Sequence, residues 1–249
     1  MDIEKLVQEV YIEVLKRIGR KALLFFSGTP LNIDFILSDL KSVANIYNIY
    51  YKSVLSDAAK NVIGIDKISN ISDILEEKNE ITTSIKEADF ILVASLTRNT
   101  LAKVALGIQD TKVTLGLAEA FMLNKKIIVV KDGADFENQF RISSGMTKNG
   151  EYNRMLSNYF KTLEGFGATL INSSDLSDTI KSIFDFDFQK RNYRDGIFND
   201  AKLNSNVITL QDLLDMGKAK TIYIKKNAIV TPLANDYIMN NNIRLVREE

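Results

Sequence analysis

Continuously apolar runs alternate with stretches of helical periodicity along most of this chain. Five short runs read as strands that are covered on both faces, namely KALLFFSG, NIYYKSVLS, ADFILVAS, KKIIVV and GATLI. Between them, apolar residues recur every three or four positions, as in NIDFILSDLKSVA, TLAKVALGI, TLGLAEAFML and YNRMLSNYFKTLEGFG. This alternation predicts an α/β fold with a parallel sheet and helices on both of its faces.

The two ends of the chain carry different patterns. Residues 1–19 are predicted to form an amphipathic helix, because apolar residues recur there at helical spacing and Gly19 can end it. The α/β domain is expected to span 20–183. Residues 184–206 mix charged, amide and aromatic side chains without a period, so they are expected to be a linker or an arm.

A small βα tail is predicted over 207–249. Thr209 is a candidate N-cap before QDLLDMG, and Thr231-Pro232 opens a second helical stretch, PLANDYIMNN. The runs KTIYI, AIV and IRLV are typical of short strands.

The composition excludes several classes of protein. The 249 residues include 32 basic and 32 acidic ones, with no long run of one sign, so neither nucleic acid nor a membrane surface is an expected partner. The start of the chain lacks the apolar stretch of a signal peptide, and no run approaches the ~20 apolar residues that span a bilayer. We therefore expect a cytoplasmic protein.

The chain contains no cysteine and no histidine. Disulfides, thiolate catalysis and thiolate metal sites are thereby excluded, and no metal site is predicted. The absence of histidine removes the commonest general base near neutral pH, and with it the Ser-His-Asp and Cys-His arrangements.

Three turns that follow predicted strands are rich in small polar residues. They are Ser27-Gly28-Thr29, the turn at Leu55 to Ala58, and Ala94 to Thr100. Ligands of open parallel sheets bind beyond the carboxyl ends of the strands, and helix N-termini there favour phosphate groups. Each turn taken singly is also explained as a helix cap, since Ser, Thr and Asn are preferred N-caps. The glycine patterns of dinucleotide-binding Rossmann and P-loop proteins are absent.

One segment resembles a known family. The turn Ser95-Leu96-Thr97-Arg98-Asn99-Thr100, followed by LAKVALGIQD, is similar to the Pro-Ala-Ser-Ala-Asn-Thr turn and helix of the flavoprotein family that includes the flavin-containing cysteine decarboxylases. LFFSGTP and VLSDAA match that family's two preceding turns more weakly. The resemblance covers about residues 20–175 and implies a three-layer, Rossmann-like (flavodoxin-like) sheet.

The resemblance also implies an FMN at the strand ends, with its phosphate near Ser56 and the turn at Thr97 to Thr100, and its isoalloxazine near Gly28 and Thr29. A homo-oligomer, a trimer or a multiple of trimers, is expected by the same analogy. The implied cofactor-binding residues are Gly28, Thr29, Ser56, Ala94, Ser95, Thr97, Arg98, Asn99 and Thr100.

Two departures from the family pattern bear on activity. The family's decarboxylases use a histidine, which this chain lacks, and Lys131 to Phe136 replaces their Pro-x-Met-Asn substrate segment. Cysteine decarboxylation is therefore not expected. Arg98 stands where the family has alanine, and it either adds a second charge to a phosphate site or is solvated.

The tail carries a second resemblance. NAIVTPLANDYIMNNNI is similar to a segment of proteins from ethanolamine and propanediol utilisation loci, which encode bacterial microcompartments. The first hypothesis is therefore an FMN-binding redox or flavin-carrying accessory protein of a microcompartment, with shell or cargo proteins as partners. The second is a decarboxylase or flavin-modifying enzyme that uses Asp57, Asp132 or Asp135 as acid or base, and the third is a flavin-free interaction protein.

Overall fold

The computed structural model describes residues 10, 19–184, 200–216 and 220–248. The predicted N-terminal helix lies outside the described residues except at positions 10 and 19, and residues 185–199 of the predicted linker lie outside them as well. The chain divides into two compact units, Met1–Ile180 and Lys181–Glu249. Within the described residues, no helix is long and apolar enough to cross a membrane.

The first unit contains one six-stranded parallel sheet. Its strands are β1 (Arg20–Phe26), β2 (Ile49–Leu55), β3 (Asp73–Ile74), β4 (Phe90–Ser95), β5 (Ile127–Val130) and β6 (Ala168–Ile171). The strand order is β3-β2-β1-β4-β5-β6, and every pair is parallel. This is the order of six-stranded Rossmann sheets, not the five-stranded flavodoxin order, and it confirms the predicted α/β class.

Helices connect these strands. They are α1 (Ile33–Tyr47), α2 (Asp57–Ala59, a π turn at Lys60–Gly64 and Ile65–Ser69), α3 (Lys78–Glu87), α4 (Arg98–Ala105), α5 (Lys112–Met122), α6 (Gln139–Ser143), α7 (Gly150–Gly165) and α8 (176–184). Of these, α1, α4, α5 and α7 follow the four predicted periodic stretches. A short 3-10 turn, Ser173–Asp175, precedes α8.

Both faces of the sheet are covered. Leu23 and Phe25 of β1 belong to a buried cluster that includes the apolar faces of α3, α4, α5 and α7. The alternate residues Leu24 and Phe26 point to the opposite face and are fully buried. On that face α1 packs on β2, where the Tyr51 hydroxyl donates a hydrogen bond to the carbonyl of a buried α1 residue, Leu40, at 3.1 Å.

The second unit contains a smaller α/β arrangement with its own apolar core. Its elements are β7 (Asp200–Leu203), β8 (Val207–Ile208), α9 (Leu210–Asp215), β9 (Thr221–Lys225), β10 (Ile229–Val230), α10 (Pro232–Asn240) and β11 (Arg244–Glu248). Strands β11, β9 and β7 form one parallel sheet, and β10 pairs with β8. Strand β7 lies within the segment 184–206 that the sequence pattern indicates as a linker or arm.

The two predicted helix starts of the tail are confirmed. Thr209 caps α9 through a capping box with Asp212. Thr231 caps α10, whose first residue is Pro232, and its hydroxyl accepts a hydrogen bond from the Ala234 N–H. Proline suits this position because the N–H that it lacks would have no partner within the helix.

Candidate functional site

The strand order places a topological switch point between β1 and β4. The chain proceeds from β1 through β2 to β3 on one side, then returns to begin β4 on the other side of β1. At such a point the connections leave the carboxyl ends of neighbouring strands in opposite directions, which opens a crevice for ligands. Four connections follow this edge of the sheet, and we name them loop A (residues 27–32), loop B (residue 56), loop C (residues 96–97) and loop D (residues 131–138).

Two buried serines join loop A to the end of β4. The Ser27 N–H donates to the Ser95 carbonyl and hydroxyl, each at 3.0 Å, and the two hydroxyls donate to each other's carbonyl oxygens at 2.9 and 2.7 Å. The Ser27 hydroxyl also accepts from the Thr97 N–H at 2.8 Å. Only 2% of Ser27 and 3% of Ser95 is exposed. These bonds therefore fix the separation of loops A and C from inside the protein.

Loop B is held at the end of β1, and the start of α2 packs on loop A. The Ser56 N–H donates to the Phe26 carbonyl at 3.0 Å. A β-carbon built on Gly28 would lie 2.5 Å from the Ala58 β-carbon and 3.0 Å from its carbonyl carbon. The first turn of α2 therefore packs directly on Gly28, and no larger residue fits there without movement.

Loop D closes on the same edge from the other side of β4. A β-carbon on Gly133 would lie 2.5 Å from both the Leu96 carbonyl oxygen and the Thr29 methyl group. Loop D thus contacts loops A and C, and the three polar turns singled out from the sequence lie together with a fourth at one rim.

Two of the predicted site residues are helix caps. The Thr97 hydroxyl accepts a hydrogen bond from the Thr100 N–H at 3.2 Å, and the two threonine hydroxyls lie 3.0 Å apart. The Ser56 hydroxyl accepts from the Ala59 N–H at 3.1 Å. Helix geometry still leaves the N–H groups of the first positions, Arg98 and Asn99 in α4, without a partner inside the helix.

The predicted site residues differ in what they expose. Ala94, Ser95 and Thr100 are buried, and Thr29 is at the limit of burial. Gly28, Ser56, Thr97 and Arg98 are half-buried, and Asn99 is exposed. The buried residues build the rim from within, whereas the half-buried and exposed group is available to a bound molecule. Their roles in binding a cofactor stay a prediction.

Comparison with known proteins assigns the family. The Flavoprotein family model matches residues 3–143, which is more than half of the chain. The chain belongs to the Flavoprotein family. This confirms the resemblance on which the flavin prediction was based, and the matched range contains loops A, B, C and D.

Solved structures share the fold of this flavoprotein at low sequence identity. A PPC decarboxylase mutant is 18% identical, with 67% of this chain and 99% of that chain covered and a TM-score of 0.51. HAL3 from Cryptococcus neoformans is 15% identical, with 68% and 98% covered and a TM-score of 0.52. The FMN-dependent cysteine decarboxylase TvaF from thioviridamide biosynthesis is 15% identical, with 66% and 98% covered and a TM-score of 0.51. No curated protein matches the sequence.

The carboxylates of loop D in this flavoprotein are already engaged. Asp132 is buried and accepts hydrogen bonds from the Asn32 amide at 3.1 Å and from the Ser173 N–H at 3.1 and 3.2 Å. Asp135 forms an ion pair with Lys131 at 2.8 Å, and its hydrogen bond raises the lysine pKa. Both side chains connect the rim to its surroundings.

Asp57, the third proposed acid or base, is the exposed first residue of α2. Its carboxylate lies in the first turn of that helix. Across the described part of the flavoprotein, no group of three or more Asp or Glu side chains is arranged to hold a metal ion.

Sequence reasoning missed Arg141, a residue of α6. Its Nη2 donates a short hydrogen bond to the Gly133 carbonyl, which brings the guanidinium to loop D. Burial lowers the pKa of Arg141, and the charge of Arg98 lowers it further. Helix α6 has only five residues, none of them buried, so its sequence carries no periodic signal that could have identified this residue.

Proposed function

We propose that this chain binds FMN at the rim formed by loops A to D and serves as a redox or flavin-carrying accessory protein. The observation that carries the proposal is the convergence of four loops at the switch point of a sheet that belongs to the Flavoprotein family. The FMN-dependent TvaF shares this fold.

The residues present fit a flavin mononucleotide best with its phosphate at α4. The first turn of α4 contains no acidic residue and begins with Arg98, so its free N–H groups and the arginine charge favour an anion. The first turn of α2 contains Asp57, whose charge opposes a phosphate close to Ser56. We therefore assign the phosphate to Thr97, Arg98 and Asn99, with Ser56 as a weaker contact.

The isoalloxazine is assigned to the opposite part of the rim, near Gly28 and Thr29. Because Gly28 has no side chain, the backbone of loop A packs directly on α2, and Thr29 contacts loop D. A bound flavin would supply one- and two-electron transfer. The chain's own residues would hold and orient it, because they present caps, backbone N–H groups and arginines, while the loop D carboxylates are paired.

A decarboxylase or flavin-modifying enzyme of the same fold is the second candidate. The shared fold with decarboxylases supports it. The lack of histidine and the occupied carboxylates of Asp132 and Asp135 weigh against it. A flavin-free interaction protein is the third.

We also propose that the chain forms a homo-oligomer, a trimer or a multiple of trimers. An apolar cleft of about 360 Å³ between the ends of α4, α5 and α7 is bordered by exposed apolar side chains. Met122 is 73% exposed, and Phe166 is 47% exposed. Contiguous apolar surface of this kind is typical of protein interfaces. Sedimentation at several concentrations would test the assembly.

The microcompartment role rests on the resemblance of the tail alone. If it is correct, the protein will copurify with shell or cargo proteins when expressed together with a microcompartment operon. Deletion of residues 207–249 will then show whether the tail is responsible. A protein that stays in the free fraction in every case would refute the role.

The test of flavin binding begins with the purified chain. We expect a yellow protein that releases FMN on denaturation, and this outcome rules out the flavin-free candidate. Absorbance changes with reductants, without turnover of cysteinyl peptides or prenyl donors, would favour the accessory role over the enzyme.

A single substitution tests the site within that assay. Asn99→Ala should lower FMN affinity by about ten-fold, which corresponds to the loss of one hydrogen bond to a charged group. Substitution of Thr100 by Ala as well should weaken retention further, because Thr100 bonds to the cap Thr97. Asn158→Ala, an exposed change in α7, is the matched control. Unchanged occupancy in the Asn99 variant would refute the assignment of the phosphate to α4.

A further inference from the structure

Two arginines near the proposed phosphate position belong to none of the described ion pairs. Arg98 is the first residue of α4, and Arg141 reaches loop D from α6. Among the described ion pairs, none includes either residue. Asp135 acts favourably on Arg141 from a distance, but its carboxylate is bound to Lys131.

The contacts of loop D explain why the two arginines are neighbours. The Arg141 guanidinium is bonded to the Gly133 carbonyl. Gly133 packs on the Leu96 carbonyl oxygen, and Leu96 is two residues before Arg98. These contacts bring the Arg141 guanidinium close to the start of α4, near enough for the charge of Arg98 to lower the pKa of Arg141.

One nitrogen of this arrangement lacks a partner. The Nε of Arg141 is buried and makes no hydrogen bond. A buried donor without an acceptor is costly, and in native proteins its acceptor is usually present as a ligand, an ion or water. An oxyanion between the two guanidinium groups would supply acceptors and offset the repulsion.

We propose that Arg98 and Arg141 together bind a phosphate monoester dianion at this rim. The charge supports a phosphate over a carboxylate, because two guanidinium groups are balanced by a group that carries about −1.5 to −2. The inference rests on the proposed flavin site and adds to it Arg141, a residue of α6 that contacts loop D. The phosphate comes either from the flavin itself or from a second phosphorylated ligand that binds beside the flavin.

The experiment compares FMN with riboflavin, which lacks the phosphate. Both are titrated into flavin-free full-length protein, and the ratio of their dissociation constants is measured for the wild type, Arg98→Gln, Arg141→Gln and the double variant. Arg154→Gln is the matched control, since its exposed guanidinium pairs with Glu151 on α7. A purely structural role of Arg141 would weaken both flavins equally and leave the ratio unchanged.

If the phosphate is that of the flavin, each glutamine variant will reduce the preference for FMN by about ten-fold, and the control will not. If it belongs to a second ligand, the ratio will stay constant. Inorganic phosphate will then raise the melting temperature of wild-type protein, and the increase will be lost in both glutamine variants. Chloride at equal ionic strength is the salt control.

Two further outcomes would refute either the arginine anion site or the proposed flavin binding. If the ratio stays constant and phosphate stabilises the wild type and both variants equally, the arginine pair is not an anion site. If the wild type binds neither flavin, the proposed function fails, while the phosphate titration still decides whether the arginines bind an oxyanion.

Discussion

Removal of the Ser27 hydroxyl tests whether the rim is held together from inside the protein. In Ser27→Ala the Ser95 carbonyl keeps its bond from the Ser27 N–H, but the Thr97 N–H loses its acceptor at 2.8 Å. A donor left unsatisfied away from water costs about 1–3 kcal/mol, so we expect the free energy of unfolding to fall by about 2 kcal/mol.

Ser95→Ala should cost less, although it removes a shorter hydrogen bond. The Ser27 carbonyl that loses the Ser95 hydroxyl at 2.7 Å still accepts from the Thr29 N–H at 2.8 Å. The Ser27 N–H, which also donates to the Ser95 hydroxyl, keeps the Ser95 carbonyl as acceptor, so every backbone group of the pair retains a partner and the expected cost is about 1 kcal/mol. Ser174→Ala, an exposed control after β6, should change the free energy by less than about 0.5 kcal/mol.

Urea unfolding followed by far-UV circular dichroism measures these differences. Since the chain has two compact units, hydrogen exchange of peptides from β1 and β4 will show that the loss occurs in the first. The expected order of cost is Ser27→Ala, then Ser95→Ala, then Ser174→Ala. Equal costs for the first two, or a Ser27 variant as stable as the control, would refute the account of the Thr97 N–H.

Two further changes test packing and charge. Gly28→Ala should destabilise the protein by about 1–3 kcal/mol and abolish FMN retention, because its methyl group would meet Ala58 at 2.5 Å. Gly150→Ala is the control, because Gly150 has open space around it. An equally small effect at both positions would contradict the packing of Gly28 on α2. A hydrogen bond from Lys112 holds the pKa of Glu76 below its ordinary value of 4.5, so the pair stabilises the fold above about pH 4.5 and this stability is lost as the pH falls through the lowered pKa. Glu76→Gln should therefore cost less than about 1 kcal/mol at neutral pH, as followed by urea midpoints. The cost should shrink as the pH falls below about 4.5, and a cost that grows on acidification would have the wrong sign.

The sequence pattern predicted the large elements because burial leaves a continuous signal. Strand β4 is buried at every position, and its apolar run is unmistakable in the sequence. Strand β3 was not predicted, because two residues, one of them the exposed Asp73, carry no periodicity. Helix α2 was not predicted either, since its π turn at Lys60–Gly64 interrupts the 3.6-residue repeat.

The site was predictable only as far as it follows strand ends. Gly28, Ser56 and Thr97 come one or two residues after strands end, so the parallel sheet alone places them at one edge. Ser95 is hydrogen-bonded to Ser27, which lies 68 positions away in the sequence, and a local sequence pattern does not predict such a long-range contact. The approach of Arg141 depends on the packing of Gly133 against Leu96, and a sequence does not state such long-range contacts.

Loop C has only two residues, and one of them, Leu96, is buried. Because so short a connection fixes the start of α4 relative to the end of β4, an insertion would move the N-terminus of α4 away from the other loops of the rim. Loop D has eight residues and a partly exposed course, and it can be lengthened at lower cost. Engineering of ligand preference should therefore exchange side chains at 97–99 and reserve added length for residues 136–138.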